Sequence, residues 1–151
     1  MNAAVLTIGD ELLQGFTIDT NSSWLGTTLL PYNIRIRKKL TVGDNLNDII
    51  SEAQNILDDN YDYLFVTGGL GPTHDDITKE AFRQLLNDEL IFDENYYNQL
   101  IHHFEKRAIK IPKSNRSQAM LLKTADVLPN KNGTALGMHF LFKGTHIFIM
   151  P

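Results

Sequence analysis

The chain contains no cysteine. Disulfides, thiolate metal sites and cysteine nucleophiles are therefore excluded, and a reducing, cytoplasmic setting is expected. No apolar run approaches the ~20 residues that a membrane-spanning helix requires. The first basic residue is Arg35, and Asp10 and Glu11 interrupt the first apolar stretch, so the N-terminus lacks the pattern of a signal peptide. Positive charge is not in excess: 14 lysines and arginines stand against 18 aspartates and glutamates, a net charge of −4, which argues against general nucleic-acid binding. Three catalytic signatures are missing as well. No Gly-Lys-Ser/Thr makes a P-loop, no serine sits in a nucleophile elbow, and the glutamate-rich Nudix pattern is absent. What the 151 residues do have is an apolar fraction of 42%, enough for a sizeable core in a single soluble domain.

The apolar pattern alternates between strand and helix. Ala3–Ile8 is a short apolar run ending at Gly9, as in a buried strand, and a turn-rich stretch follows. A helix is expected over Asn21–Leu30, near a cap at Thr20 or Asn21 and stopped by Pro31 and Asn33. Ile34–Val42 alternates as a strand with one wet face. Leu46, Ile49, Ile50, Ala53, Ile56 and Leu57 mark one stripe of a helix, with Asp44 as its natural cap. Tyr63–Thr67 reads as a third strand, buried on both faces. Helices over Thr78–Asn87 and Glu94–Arg107 come next, then a short helix within Pro112–Met120 and a short strand at Val127 and Leu128. Met138–Phe142 and His146–Met150 flank Lys143-Gly144-Thr145 as a hairpin. Strands alternating with helices predict an α/β fold with a mostly parallel, mixed sheet. No repeat or linker interrupts it.

The chemistry concentrates where strands end. Val66-Thr67-Gly68-Gly69-Leu70-Gly71-Pro72-Thr73-His74-Asp75-Asp76 leaves the third strand through three glycines and meets two adjacent carboxylates. In open α/β sheets ligands sit beyond the carboxyl ends of the strands. Glycines there let the backbone approach a phosphate, and the next helix N-terminus offers unpaired N–H groups. The spacing is not G-x-G-x-x-G, so composition alone leaves the loop open between an anion site and a tight turn. One aspartate explains a helix cap. The second is spare, and two carboxylates beside a bound phosphate repel it unless a hard divalent cation such as Mg²⁺ or Mn²⁺ lies between, which makes Asp75 and Asp76 candidate metal ligands. A second acidic cluster, Gly9-Asp10-Glu11, ends the first strand, and Asp44 ends the second. These loops converge if the three strands are neighbours.

The motifs Gly9-Asp10-Glu11-Leu12-Leu13 with Gly15, Asp19 and Asn21, Thr41-Val42-Gly43-Asp44-Asn45, and Thr67-Gly68-Gly69-Leu70-Gly71-Pro72-Thr73 with Asp75-Asp76-x-Thr78-Lys79-Glu80 resemble the N-terminal domain of the competence/damage-inducible protein family CinA. Asn115-Arg116 with Gln118-Ala119, and Asn130 with Gly133-Thr134-Ala135 and Gly137, continue the match in order over nearly the whole chain. The resemblance implies a three-layer α/β/α fold like that of molybdopterin-binding domains. It implies a site for a phosphate-bearing small molecule, a nucleotide or a pterin, with Asp44 and Asp76 in binding and catalysis and Asp75 assisting. The residues it would place on the ligand are Gly9, Asp10, Glu11, Thr67, Gly68, Gly69, Gly71, Thr73, Thr78, Asn115, Arg116, Asn130, Gly133 and Thr134. The activity implied is metal-dependent hydrolysis of a dinucleotide pyrophosphate such as ADP-ribose. The alternatives are binding of, or adenylyl transfer to, a molybdopterin-like ligand, and a non-catalytic nucleotide-binding or oligomerisation module of a longer protein. A homo-oligomer is expected, without nucleic acid or membrane as partner. Two departures stand out: Leu136 replaces a proline of the family pattern, and the chain stops at Pro151 where the family continues into a Pro-Gly-Pro-Pro-type loop, so either a longer natural protein or an incomplete site is expected.

The remaining polar residues have plain readings. His102 and His103 are adjacent on a helix, so they point about 100° apart and suit a surface better than a metal. His74 lies in the glycine loop, and His139 and His146 face each other in the hairpin. Arg35, Arg37, Lys38 and Lys39 read as a solvated strand edge. Among Arg107, Lys110, Lys113 and Arg116, Arg116 is the candidate ligand contact. Trp24 is expected in the core or on an oligomer face.

Overall fold

The computed structural model describes residues 1–70 and 77–151. Strand β1 (Asn2–Ile8) is buried from Ala3 onward, as expected of a run of small and branched apolar residues at the centre of a sheet. Around it the six-stranded order is β2-β1-β3-β8-β7-β6, with β2 Arg35–Val42, β3 Tyr63–Thr67, β6 Asp126–Leu128, β7 Gly137–Phe142 and β8 Thr145–Met150. Strands β2, β1, β3 and β8 are parallel, and β7 is antiparallel to both β8 and β6.

Helix α2 (Thr20–Leu29) covers one face of the sheet, where Leu25 packs with Ala3, Val5 and Phe65. Helices α3 (Leu46–Asp58) and α4 (Ile77–Leu86) cover the other, where Ile49, Ala53, Ile56, Ala81 and Phe82 meet Leu6, Ile8, Leu64, Ile147 and Ile149. The architecture is three-layered α/β/α. Helix α5 (Glu94–Glu105), the 3₁₀ segment Lys113–Ala119 and a two-stranded ribbon of β4 (Leu90–Phe92) and β5 (Met120–Leu122) complete the chain.

The sequence pattern and the structure differ in several places. Ile36 and Leu40 share one parity in the alternating β2 stretch, yet Ile36 packs on the α2 side and Leu40 on the α3 side. A register shift between Ala3 and Ala4 pairs them with Ile36 and Lys38, and this extra residue turns the second half of β2 over. The turn-rich stretch after Gly9 holds a single helical turn, α1 (Asp10–Leu13). The ribbon β4–β5 was not legible, because three-residue strands carry no usable alternation. Trp24 is 63% exposed, which removes the core from its two expected places and leaves the oligomer face.

Helix ends follow local chemistry. Asp19 caps α2, accepting from the Ser22 N–H, and Asn87, in the left-handed conformation, stops α4 one residue earlier than expected. The histidines of the hairpin do face each other: His139 Nε2 lies 3.0 Å from His146 Nδ1. The basic residues sit on the edge strand β2, with Lys38 paired to Asp59 and Lys39 to Asp19.

Candidate functional site at the carboxyl ends of the strands

Thr7 pairs with Thr41 on one side and Thr67 on the other, and Thr67 pairs with Met150. The loops after β1, β2 and β3 therefore leave one sheet edge side by side, the condition on which their convergence depended. The chain runs from β1 over α2 to β2, then over α3 on the opposite face to β3. The gap between β1 and β3 is thus the switch point at which open α/β sheets bind ligands.

The glycines are dictated by proximity. Gly68 has φ +97°, and a Cβ there would run into the backbone carbonyl of Ile8. Gly69 has φ +66°, and its missing Cβ leaves room for the Thr78 hydroxyl. That hydroxyl donates to the Gly68 carbonyl at 3.1 Å, and Thr78 is fully buried. Thr78 thus ties the loop to α4, and its hydroxyl is already engaged. Thr67, 4% exposed, is likewise within the wall of the edge. Gly71, Thr73, His74, Asp75 and Asp76 lie outside the described residues.

Asp10 and Asp44 form a reciprocal clamp. The Asp10 N–H donates to Asp44 Oδ2 at 3.1 Å, and the Asp44 N–H donates to Asp10 Oδ1 at 3.2 Å. Gly43 permits it, since a Cβ there would occupy the place of the Asp10 carboxylate. The cap of α3 is Asn45, which accepts from the N–H groups of Asn47 and Asp48, and not Asp44. Asp44 is thereby spared the capping role, and its Oδ2 is held by the Asp10 N–H instead. The Glu11 carboxylate folds back over Gly9. Among the described residues no group of three or more histidines and carboxylates is placed to hold a metal.

Two sets of cavities flank Gly68. On the α2 side a cavity of about 170 Å³ is lined by Glu11, Asp19, Thr20, Asn21, Thr67 and Gly68. On the opposite side a cavity of about 320 Å³ runs along Gly68, Gly69, Leu70, Gln118, Asn130, Gly133 and Thr134. Asn130, Gly133 and Thr134 also border a neighbouring cavity of about 190 Å³. Beyond Gly133 and Thr134 the space opens into a further cavity of about 510 Å³, lined by Asn115, His103, Arg107 and Lys131. The Asn130 side chain holds this wall by donating to the Ala135 carbonyl at 3.1 Å and accepting from the Asn132 N–H at 2.9 Å. The Tyr96 hydroxyl donates to the Thr134 carbonyl at 2.5 Å, and burial pushes its pKa up, so it stays a neutral donor.

Two residues revise the expected site. Arg116 stacks its guanidinium 4.1 Å above the Phe92 ring and borders none of these cavities. Its neighbour Asn115 does, and Gln118, not foreseen as a site residue, lines the cavity beside Gly68. The reason is the 3₁₀ geometry of Lys113–Ala119: at three residues per turn, positions 115 and 118 eclipse while 116 points elsewhere. Two amides at an i, i+3 spacing in Asn115-Arg116-Ser117-Gln118 were the available signal.

Comparison with known proteins agrees with the fold. A family model described as "Probable molybdopterin binding domain" matches residues 4–151. A CinA-like protein of Geotalea uraniireducens is 38% identical over 151 residues, all of this chain and 36% of that protein. The chain thus spans little more than a third of the length of the curated relatives it matches. A solved CinA from Thermoplasma acidophilum superposes with a TM-score of 0.86 at 29% identity, covering 100% of this chain and 88% of that one. The molybdopterin biosynthesis enzyme MoaB of Thermus thermophilus shares the fold, with a TM-score of 0.64 at 18% identity over 99% of this chain and 80% of that one. The chain belongs to the molybdopterin-binding-domain family, and within it to the kind of domain that CinA-like proteins carry.

Proposed function

We propose that this domain binds a small phosphate-bearing heterocycle, a pterin or a nucleotide, across the strand ends. The observation that carries the reading is the convergence of Gly9, Asp44 and Gly68 at the switch point between β1 and β3, with cavities on either side of Gly68. The phosphate would lie against the Gly68–Leu70 backbone, close to the start of α4, where the helix dipole favours an anion. The heterocycle would enter the cavity bordered by Gln118, Asn130 and Thr134. Asp10 and Asp44 stand on the β2 side, so their charge directs an anion towards β3. Structurally similar proteins such as MoaB are named for molybdopterin biosynthesis, which makes a pterin the first ligand to test.

A second reading, metal-assisted hydrolysis of a pyrophosphate such as ADP-ribose, is favoured by the carboxylates of Asp10 and Asp44 at the same edge. Its proposed metal ligands, Asp75 and Asp76, lie outside the described residues. One experiment separates the two. Calorimetric titration with molybdopterin and AMP is run beside incubation with ADP-ribose and Mg²⁺ or Mn²⁺, following AMP and ribose 5-phosphate, on this chain and on the longer protein. Saturable binding without turnover supports the first reading. Turnover that falls at least about tenfold in Asp76→Asn, about 1.4 kcal/mol of barrier, supports the second. Absence of saturable binding of any of these ligands would overturn both.

A further inference from the structure

Asn115 and Gln118 are 5% and 2% exposed, and their side chains bond to each other, Asn115 Nδ2 donating to Gln118 Oε1 at 2.9 Å. Among the described residues, nothing meets the other ends of the two amides, Asn115 Oδ1 and Gln118 Nε2. A buried amide left half satisfied is costly to the fold, and here the two half-satisfied amides border adjoining cavities that share Gly133 and Thr134. Their support is rigid. Lys79, 2% exposed, donates from Nζ to the Ser117 carbonyl at 2.9 Å, fixing the 3₁₀ turn to α4. Neither cavity wall needs the free atoms for its own closure, since Asn130 and Tyr96 complete that loop.

We propose that Asn115 and Gln118 form an amide pair that reads the ring edge of the ligand, Gln118 Nε2 donating to a ring acceptor and Asn115 Oδ1 accepting from a neighbouring N–H. The inference rests on the binding reading above and names its specificity element. The ligand class is a heterocycle with an acceptor and a donor side by side. A pterin offers this as a lactam, N–H beside C=O, and adenine as a ring nitrogen beside an exocyclic amine. A ligand with phosphate alone has no such edge and would not sense the pair.

The test is a titration of the wild type and of Gln118→Met, an unbranched apolar replacement of similar length, with neopterin, AMP and inorganic pyrophosphate. The wild type is expected to bind pyrophosphate and at least one of the ring ligands, and the preferred ring identifies the source. Gln118→Met is expected to lose roughly tenfold or more for that ring ligand, the scale of one hydrogen bond to a buried partner, with pyrophosphate affinity unchanged. A ligand-side deletion needs no mutant: purine riboside monophosphate, lacking the exocyclic amine, should bind the wild type more weakly than AMP if adenine is the source. An unchanged ring affinity in Gln118→Met would overturn the proposal. So would an equal loss for ring and pyrophosphate, which would make Gln118 a packing residue. Pyrophosphate binding with neither ring ligand bound overturns this inference and leaves the phosphate site standing, whereas failure of all three ligands removes the binding reading itself.

Discussion

At the scale of single residues, the glycines separate two costs that are usually entangled. Gly68 and Gly15 both have positive φ, +97° and +75°, but only at Gly68 would a Cβ meet backbone; at Gly15 nothing lies within 4 Å. Gly15→Ala should therefore cost only the conformational penalty, about 1–2 kcal/mol. Gly68→Ala adds a collision with the Ile8 carbonyl that no side-chain rotation relieves. It forces β1 and β3 apart at the edge where the ligand is proposed to sit. With about 2–4 °C of melting temperature per kcal/mol in a chain of this size, Gly15→Ala should lower the midpoint by a few degrees. Gly68→Ala should lower it clearly further and abolish pyrophosphate binding. Equal midpoints for the two variants, measured by thermal melting, would show that the loop relaxes away from Ile8.

At the scale of elements, the helix caps decide what the acidic residues are available for. Asp44 was the natural candidate for the cap of α3, and the structure gives that task to Asn45. Asn45→Ala should cost about 0.5–2 kcal/mol. Asp44→Asn should leave stability almost unchanged, because an amide oxygen still accepts from the Asp10 N–H. Chemical denaturation of both variants checks this, and a larger loss for Asp44→Asn would return the cap to Asp44. The long elements were legible because β1, β3, α3 and α4 carry apolar patterns of the right period over five or more residues, and the parallel order follows from their alternation. The ribbon β4–β5 and the turn α1 are too short to show a period. The β2 register shift reverses a pattern without altering it, so Ile36 and Leu40 look alike in sequence and face opposite layers. The strand-end position of Gly9, Asp44 and Gly68 was legible for the same reason as the sheet. The Asn115–Gln118 pair was not, because its meaning depends on a 3₁₀ turn that the sequence does not distinguish from an α-turn.

At the scale of the whole molecule, the carboxyls held below their ordinary pKa by hydrogen bonds and ion pairs set its response to low pH. Asp19 joins the start of α2 to β2. Burial pushes its pKa up, but the Ser22 hydroxyl and N–H and the Lys39 ammonium outweigh burial and bring it below 3.8. Asp88 fastens the approach to β4 to the turn after β5. There too burial raises the pKa, and the Thr124 hydroxyl, the N–H groups of Glu89 and Thr124 and the charge of Lys123 outweigh it. Glu80, on α4, is held down to about 2 chiefly by hydrogen bonding from Arg83, with Gln84 adding to it. All three carboxyls bind protons more weakly in the folded chain than in the unfolded one. Their contribution is therefore complete above the unfolded values of 3.8 and 4.5 and is lost as pH falls through the folded ones. Urea midpoints should fall progressively below about pH 4.5 as these carboxyls take up protons. Asp19→Asn and Asp88→Asn should each flatten the part of that fall just below pH 4, and Glu80→Gln the part that extends towards pH 2. The Glu80 share should be the smallest and should shrink in salt, because Glu80 and Arg83 are each more than a third exposed, whereas Asp19 is 12% exposed. An acid slope in Asp88→Asn indistinguishable from that of the wild type would show that the segment between α4 and β4 does not depend on this carboxylate, and that the junction is held by the β4–β5 ribbon alone.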